Sequence, residues 1–274
     1  MNFSSSWKQI RRLWRGTGLP KDGIALALGG GAVLGAAHVG VLKALAEHDV
    51  PIRAISGTSI GGLIAALHAF GKRPEEIETL VAELDWLGVT RLTLSRFGIL
   101  SNDELGKKIE ESLGDVDIGE AQIPLYLVAT NIASGEKVVL DQGSLPRAVM
   151  ASSCIPGVFV PVEIDDRLLV DGGLVENVPV SPLRDNGARF VVGVDLNAHR
   201  HYQRPEDIVD LLANAIDIAI DNVTRTQVSD ADLLIAPELA SYSRRDTSRF
   251  AELVEEGYQT TCQLLREAGK FRSS

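Results

Sequence analysis

The chain is poor in cysteine. Only Cys154, in an apolar-flanked loop, and Cys262, in a late helix, occur in 274 residues. Both read as buried free thiols, which excludes a disulfide framework and predicts a reducing, cytoplasmic setting. Nothing reads as a secretory leader, and no apolar run approaches membrane-spanning length. A basic excess is missing as well. The 27 Lys and Arg face 37 Asp and Glu, a formal net charge of -10, which argues against a general nucleic-acid partner. No internal repeat or linker is visible. With 45% hydrophobic residues and 26 glycines, one large globular domain is expected.

Acidic residues are absent before Asp22, where Lys8, Arg11, Arg12, Arg15 and Lys21 are concentrated. At about 100° per residue, Phe3, Trp7, Ile10, Leu13 and Trp14 share one helical face. Lys8, Arg11, Arg12 and Arg15 share the other. Residues 1–21 therefore read as a basic amphipathic segment. Peripheral membrane contact through residues 1–20, on the inner membrane face, is one use for it. Docking on its own domain, or on a second subunit of a homo-oligomer, is the other. Both stay open.

Beyond that segment, strands and helices alternate. Apolar runs predict strands at Ile24 to Leu28, Ile52 to Ser56, Ile123 to Thr130, Lys137 to Leu140, Arg167 to Val170, Phe190 to Leu196 and Leu233 to Ala236. Helices are expected at Ala36 to His48, Leu63 to Phe70, Pro74 to Leu84, Asn102 to Leu113, Leu145 to Ser152, Ile208 to Val228 and Phe250 to Glu267. Such alternation means an α/β domain with a mainly parallel sheet covered on both faces. Ligands then sit at the carboxyl ends of the strands. The stretch Trp86 to Leu100, with Leu92, Leu94, Phe97 and Ile99, is either an acyl-binding cap or an ordinary packed connection.

Two turns stand at those strand ends. The first is Gly29-Gly30-Gly31-Ala32-Val33-Leu34-Gly35. It lacks G-K-[ST], which excludes a P-loop. No acid ends the second strand to hold a ribose, so a dinucleotide site fits poorly. What remains is an oxyanion hole of backbone amides, or a crowded turn with no ligand. The second turn is Gly57-Thr58-Ser59-Ile60-Gly61, a G-x-S-x-G on a strand-to-helix bend. That is the pattern of a nucleophile elbow, although Ser59 could equally cap a helix.

A well-placed histidine base is also lacking. His38 lies one turn into the helix after the glycine loop, His48 at its far end and His68 more than two turns past the elbow. His199 and His201 sit in a charged loop, solvent-exposed or at a weak metal site. Asp171 does follow a strand, with Gly172 and Gly173 clearing space beside it. A partly desolvated carboxylate there could take the serine proton, or it could merely cap its own turn.

Together these segments resemble the patatin-like phospholipase family, whose members use a serine–aspartate dyad. The glycine loop, G-x-S-x-G and D-G-G occur in the family's order. The flanks are similar too: G-A-A-H-V-G-V-L-K-A-L, A-T-N-I-A-S-G-E, R-A-V-M-A-S-S-C-I-P-G-V-F-V-P-V and V-D-G-G-L-V-E-N-V-P-V. The match covers roughly residues 22 to 236, nearest to compact bacterial members, and makes residues 22–274 the acyl hydrolase domain. The resemblance implies a three-layer α/β/α fold and a serine hydrolase of lipid acyl esters, of phospholipase A or lysophospholipase type. It implies no metal and no cofactor. Ser59 would be the nucleophile and Asp171 the base. The amides of Gly30, Gly31 and Ala32 would form the oxyanion hole, with Gly29, Gly35, Gly57, Gly61, Gly172 and Gly173 as the motif glycines. The alternatives are a small-substrate esterase or thioesterase, and a non-catalytic lipid- or protein-binding module. One departure stands out. The family loop reads G-G-G-x-[KR]-G, whereas here Ala32 replaces a glycine and Leu34 the basic residue. Alanine serves there provided its φ is negative. The lost cation puts phospholipid preference in question rather than the ester chemistry.

Overall fold

A computed structural model describes residues 19–84, 91–92, 100–244 and 246–270. The expectations for residues 1–18, and for the bulk of the stretch from Trp86 to Leu100, lie outside these. The described chain runs β1 (Ile24–Leu28), α1 (Ala36–Glu47), β2 (Ile52–Gly57), α2 (Ile60–Ala69), α3 (Pro74–Ala82), β3 (Arg91–Leu92) and β4 (Leu100–Ser101). It continues through α4 (Asp103–Leu113), β5 (Leu125–Asn131), β6 (Lys137–Leu140), α5 (Leu145–Ser152), β7 (Val162–Ile164), β8 (Arg167–Asp171), α6 (Gly173–Glu176) and α7 (Val180–Asp185). It ends with β9 (Val191–Val194), α8 (Ile208–Gln227), β10 (Leu233–Ile235) and α9 (Phe250–Lys270).

The fold is α/β, three layers with a mostly parallel sheet. Strands β10, β9, β1, β2 and β5 run parallel in that order. β1 and β9 are buried at every position, as continuous apolar runs demand when helices cover both faces. The pleat of β1 sorts the two faces. Leu26 and Leu28 join a core with Ile55, Ile64, Leu127 and Leu145, whereas Ala25 and Ala27 join a smaller one with Val178, Val180, Leu183 and Val191. Small residues on that second face let α7 approach closely.

The far side of β5 departs from the parallel plan. β6 and β8 both pair antiparallel with β5, and β7 antiparallel with β8. Sequence periodicity missed β7, α6 and α7, which are only 3, 4 and 6 residues long, too short to show a period. The elbow helix also starts three residues earlier than expected, at Ile60.

Candidate active site

The serine turn is built by backbone crowding. A Cβ on Gly57 would lie 2.4 Å from the Gly61 carbonyl oxygen, and one on Gly61 2.2 Å from that of Leu28. Only glycine permits this approach. Ser59 between them has φ 56° and ψ -127°, a sparsely populated conformation costing about 1–3 kcal/mol unless its surroundings impose it. They do so here. The Ser59 N–H donates to Ser152 Oγ at 3.0 Å, and the Ser152 hydroxyl donates to the Val128 carbonyl at 2.7 Å. Next door, the Thr58 hydroxyl donates to the Glu176 carbonyl at 2.9 Å. The side chain that would be a helix cap makes no capping hydrogen bond.

Strand register brings Asp171 to this turn. β5 pairs through Leu125–Leu127 with β2 and through Ala129–Asn131 with β8. Gly57 lies opposite Leu127, and Asp171 opposite Ala129. β8 thus approaches from beyond the end of β2, in the opposite direction, and stops where β2 stops. Asp171 does sit at a strand's carboxyl end, but on an antiparallel strand rather than one of the parallel set. Its N–H donates to the Cys154 carbonyl and its carbonyl accepts the Thr130 hydroxyl, both at 2.8 Å. One carboxylate oxygen accepts the Gly173 N–H at 2.8 Å. Desolvation pushes the carboxyl up to about 6. The Gly173 N–H, the Ser59 hydroxyl beside it and the Arg244 charge oppose the rise, and Asp217 adds to it.

The glycine loop faces the same turn. A Cβ on Gly30 would meet Ser59 Cβ at 3.3 Å and Asn177 Oδ1 at 2.8 Å. The three expected donors differ. The Gly30 N–H is already spent on Asn177, at 3.2 Å from Oδ1 and 3.3 Å from the carbonyl oxygen. The amides of Gly31 and Ala32 meet no acceptor among the described residues. Ala32 has φ 52°, so the condition set for it, a negative φ, is not met, yet its amide is still left without an acceptor among the described residues. The backbone keeps the shape a glycine would give it, at about 1–2 kcal/mol of strain for a residue with a Cβ. Gly29 and Gly35 close the loop against the Val194 carbonyl and Ile60. Gly172 sits against the Val128 carbonyl and Gly173 against Asp171.

No histidine meets Ser59. His38 is fully buried with Nε2 2.7 Å from the Gly29 carbonyl oxygen. Burial lowers its pKa to about 4, the Gly29 contact opposing. The neutral ring therefore donates to the loop backbone at neutral pH. His48 contacts the Ala44 carbonyl at 2.9 Å, and His199 approaches Glu238 at 3.8 Å. His68 is lowered by burial alone. Among the described residues no three His, Cys, Asp or Glu side chains cluster as metal ligands would. Cys154 and Cys262 are free and buried.

Four contributors escaped sequence reasoning. Ser152 orients the Ser59 amide. Asn177 is buried, its Oδ1 fixing Gly30, while its Nδ2 has no partner among the described residues. Asn197 Nδ2 donates to the Gly30 carbonyl at 2.9 Å. The Arg244 carbonyl accepts the Val33 N–H at 3.4 Å, and its guanidinium pairs with Asp217 at 2.8 Å. These contacts hold the loop from outside, where the family's own cation is replaced by buried Leu34. Two of the four had a signal: Asn177, six residues after Asp171 within V-D-G-G-L-V-E-N-V-P-V, and Ser152, within R-A-V-M-A-S-S-C-I-P-G-V-F-V-P-V.

The family model for patatin-like phospholipase matches residues 26–184, which hold every one of the motif residues. The chain belongs to the patatin-like phospholipase family. An uncharacterized NTE family protein of Mycobacterium tuberculosis is 37% identical over 186 residues, covering 67% of this chain and 51% of the relative. A protein named lysophospholipase NTE1 from Scheffersomyces stipitis is 31% identical over 188 residues, covering 66% of this chain and 12% of the relative. The chain thus spans between about an eighth and about half of the length of these two relatives. Among solved structures, VipD from Legionella pneumophila superposes with a TM-score of 0.63 at 16% identity, covering 92% of this chain and 68% of that one. That last likeness is one of patatin-like fold. No described helix is long and apolar enough to cross a membrane.

Proposed function

We propose that this chain hydrolyses lipid acyl esters through Ser59 and Asp171. The observation that carries the reading is the meeting of a strained, half-buried serine with a desolvated carboxylate and no histidine. Ser59 Oγ attacks the acyl carbonyl carbon while Asp171 takes its proton. The carbonyl π electrons move to oxygen, and the amides of Gly31 and Ala32 donate to the resulting oxyanion. Gly30 acts through its carbonyl and its Asn177 bond rather than as a donor. Collapse breaks the ester C–O bond, and Asp171 returns its proton to the leaving alcohol. A water that Asp171 then deprotonates attacks the acyl-enzyme. Fatty acid leaves, and Ser59 recovers its proton. A carboxyl raised to about 6 suits this exchange, being ionised at pH 7 yet basic enough to accept a proton.

The reading is supported by the family and by relatives whose printed names are lysophospholipase and esterase. The test is treatment with a lipid-like fluorophosphonate and mapping of the adduct by mass spectrometry. Labelling at Ser59, lost in Ser59→Ala, is expected. No adduct, or one on another residue, overturns the dyad.

A further inference from the structure

The long helix beside the site has an apolar side that no described residue covers. On α8, Ile208 is 64% exposed, Leu211 51%, Leu212 57%, Ile218 43% and Val223 41%. Ala215 and Ala219 are also exposed. At 3.6 residues per turn these seven fall on one face, and only Asn222 interrupts it. The helix's three acids, Asp210, Asp217 and Asp221, lie off this face. Asp217 pairs with Arg200 and Arg244, and Asp221 with Arg200 and the Tyr202 hydroxyl. Glu206 and Asp207 are exposed just before Ile208, so the helix's own negative charge, though not that of its N-terminal flank, is kept off the stripe.

The opposite side of the same helix walls the catalytic residues. Ile220 Cδ1 would lie 3.5 Å from a Cβ on Gly173, and Gln227 donates to the Val175 carbonyl at 2.6 Å. A second apolar outcrop lies across Asp171. Ile155 and Val158 are exposed on the loop whose Cys154 carbonyl accepts the Asp171 N–H. Among the described residues, then, two exposed aliphatic outcrops lie on elements that touch the Asp171 turn.

We infer that the exposed face of α8, Ile208 to Val223, docks on an uncharged, zwitterionic lipid surface and so presents acyl esters to Ser59. The inference rests on the hydrolase reading above. Charge decides the kind of surface. An acidic protein offering an uncharged aliphatic stripe gains by burying apolar area and would gain nothing from anionic lipid. Aromatic and arginine anchors, which enrich protein–protein contact cores, are absent from the stripe.

The test uses the full chain carrying Ser59→Ala, so that vesicles stay intact, with and without Leu211→Gln and Leu212→Gln. Both positions are more than half exposed and glutamine is a good helix former, so the fold should hold. Co-sedimentation with phosphatidylcholine vesicles should fall about tenfold or more in the glutamine variant. In the Ser59 background the same two substitutions should leave soluble short-chain ester turnover within about twofold and reduce turnover of vesicle lipid. Unchanged vesicle binding overturns the inference. So does a wild-type dimer on gel filtration that the substitutions convert to monomer, because the stripe would then be covered by a second copy. A chain that binds vesicles through this face yet turns over no ester, soluble or vesicular, overturns the hydrolase reading and leaves the docking surface standing.

Discussion

Two carboxylates in this molecule share a raised pKa and a turn-type hydrogen bond and differ in what else surrounds them. Asp171 ends β8, and Asp195 follows β9 by one residue. Desolvation pushes each up to about 6. Each accepts one backbone N–H two residues on, Gly173 for Asp171 and Asn197 for Asp195. Asp195 is buried, its N–H is fixed to the Ile235 carbonyl, and its other neighbours are Asp221, Arg200 and His199. Asp171 alone has the Ser59 hydroxyl beside it, and it is half-buried. A raised pKa therefore reports burial, and it is the neighbouring Ser59 that makes Asp171 rather than Asp195 the proposed base. Asp195 acts through Asn197, which holds the Gly30 carbonyl, and so reads as a positioning residue for the loop.

The comparison can be broken or sharpened in four ways. The largest effect should come from the shared partner of the chemistry. Ser59→Ala should lower kcat by about 10⁴-fold or more, with folding intact by circular dichroism. Most of the activity surviving on a p-nitrophenyl ester would remove Asp171's distinction from Asp195.

Next, Asp171→Asn should lower kcat by about 10²- to 10⁴-fold, whereas Asp195→Asn should cost no more than about tenfold, because its amide oxygen can still accept the Asn197 N–H. His38→Gln belongs with the milder group, since a side-chain amide can still donate to Gly29. A dead but folded His38→Gln would replace the dyad by a triad.

The pH profile separates the two carboxylates further. A base with its pKa raised to about 6 works only when ionised, so kcat/KM should rise through pH 6 and level off above it. Asp195→Asn should keep that limb. If the limb vanishes there instead, Asp195 is the titrating base. Stability carries the opposite sign. A carboxyl whose folded pKa lies above its usual value costs nothing below pH 4, and the cost grows between 4 and 6 and is complete above 6. Either asparagine variant should therefore raise Tm at pH 8 more than at pH 4.

The smallest effect concerns the loop between them. Ala32→Gly removes a left-handed alanine and should stabilise the fold by about 1 kcal/mol in urea unfolding, with turnover within a few-fold. A loss of stability would mean that the alanine methyl packs usefully and the strain is offset. A hundredfold gain in rate would mean that the natural loop is malformed as an oxyanion hole.

What could be read without coordinates was whatever two neighbours in sequence decide. G-x-S-x-G is legible because a sharp strand-to-helix bend excludes Cβ atoms at fixed offsets from the serine. D-G-G is legible because the next residues must leave room and donate an amide. The apolar runs of β1 and β9 are legible because both faces of a central parallel strand are covered. These fixed-offset requirements gave the α/β class and nominated Ser59 and Asp171.

Tertiary structure decided the rest, because its contacts join residues far apart in the chain. Ser152 reaches Ser59 across 93 residues, Asn177 reaches Gly30 across 147, and Asn197 reaches Gly30 across 167. No local pattern encodes such partners. The direction of β8 belongs here too: the apolar run of a strand reads the same whichever way it pairs, and only its register against β5 sets Asp171 opposite the serine turn. The sign of Ala32's φ depends on what encloses the loop. So does the pairing of α8's acids with Arg200 and Arg244, which turned one side of an ordinary amphipathic helix into a wall of the site and left its aliphatic side uncovered.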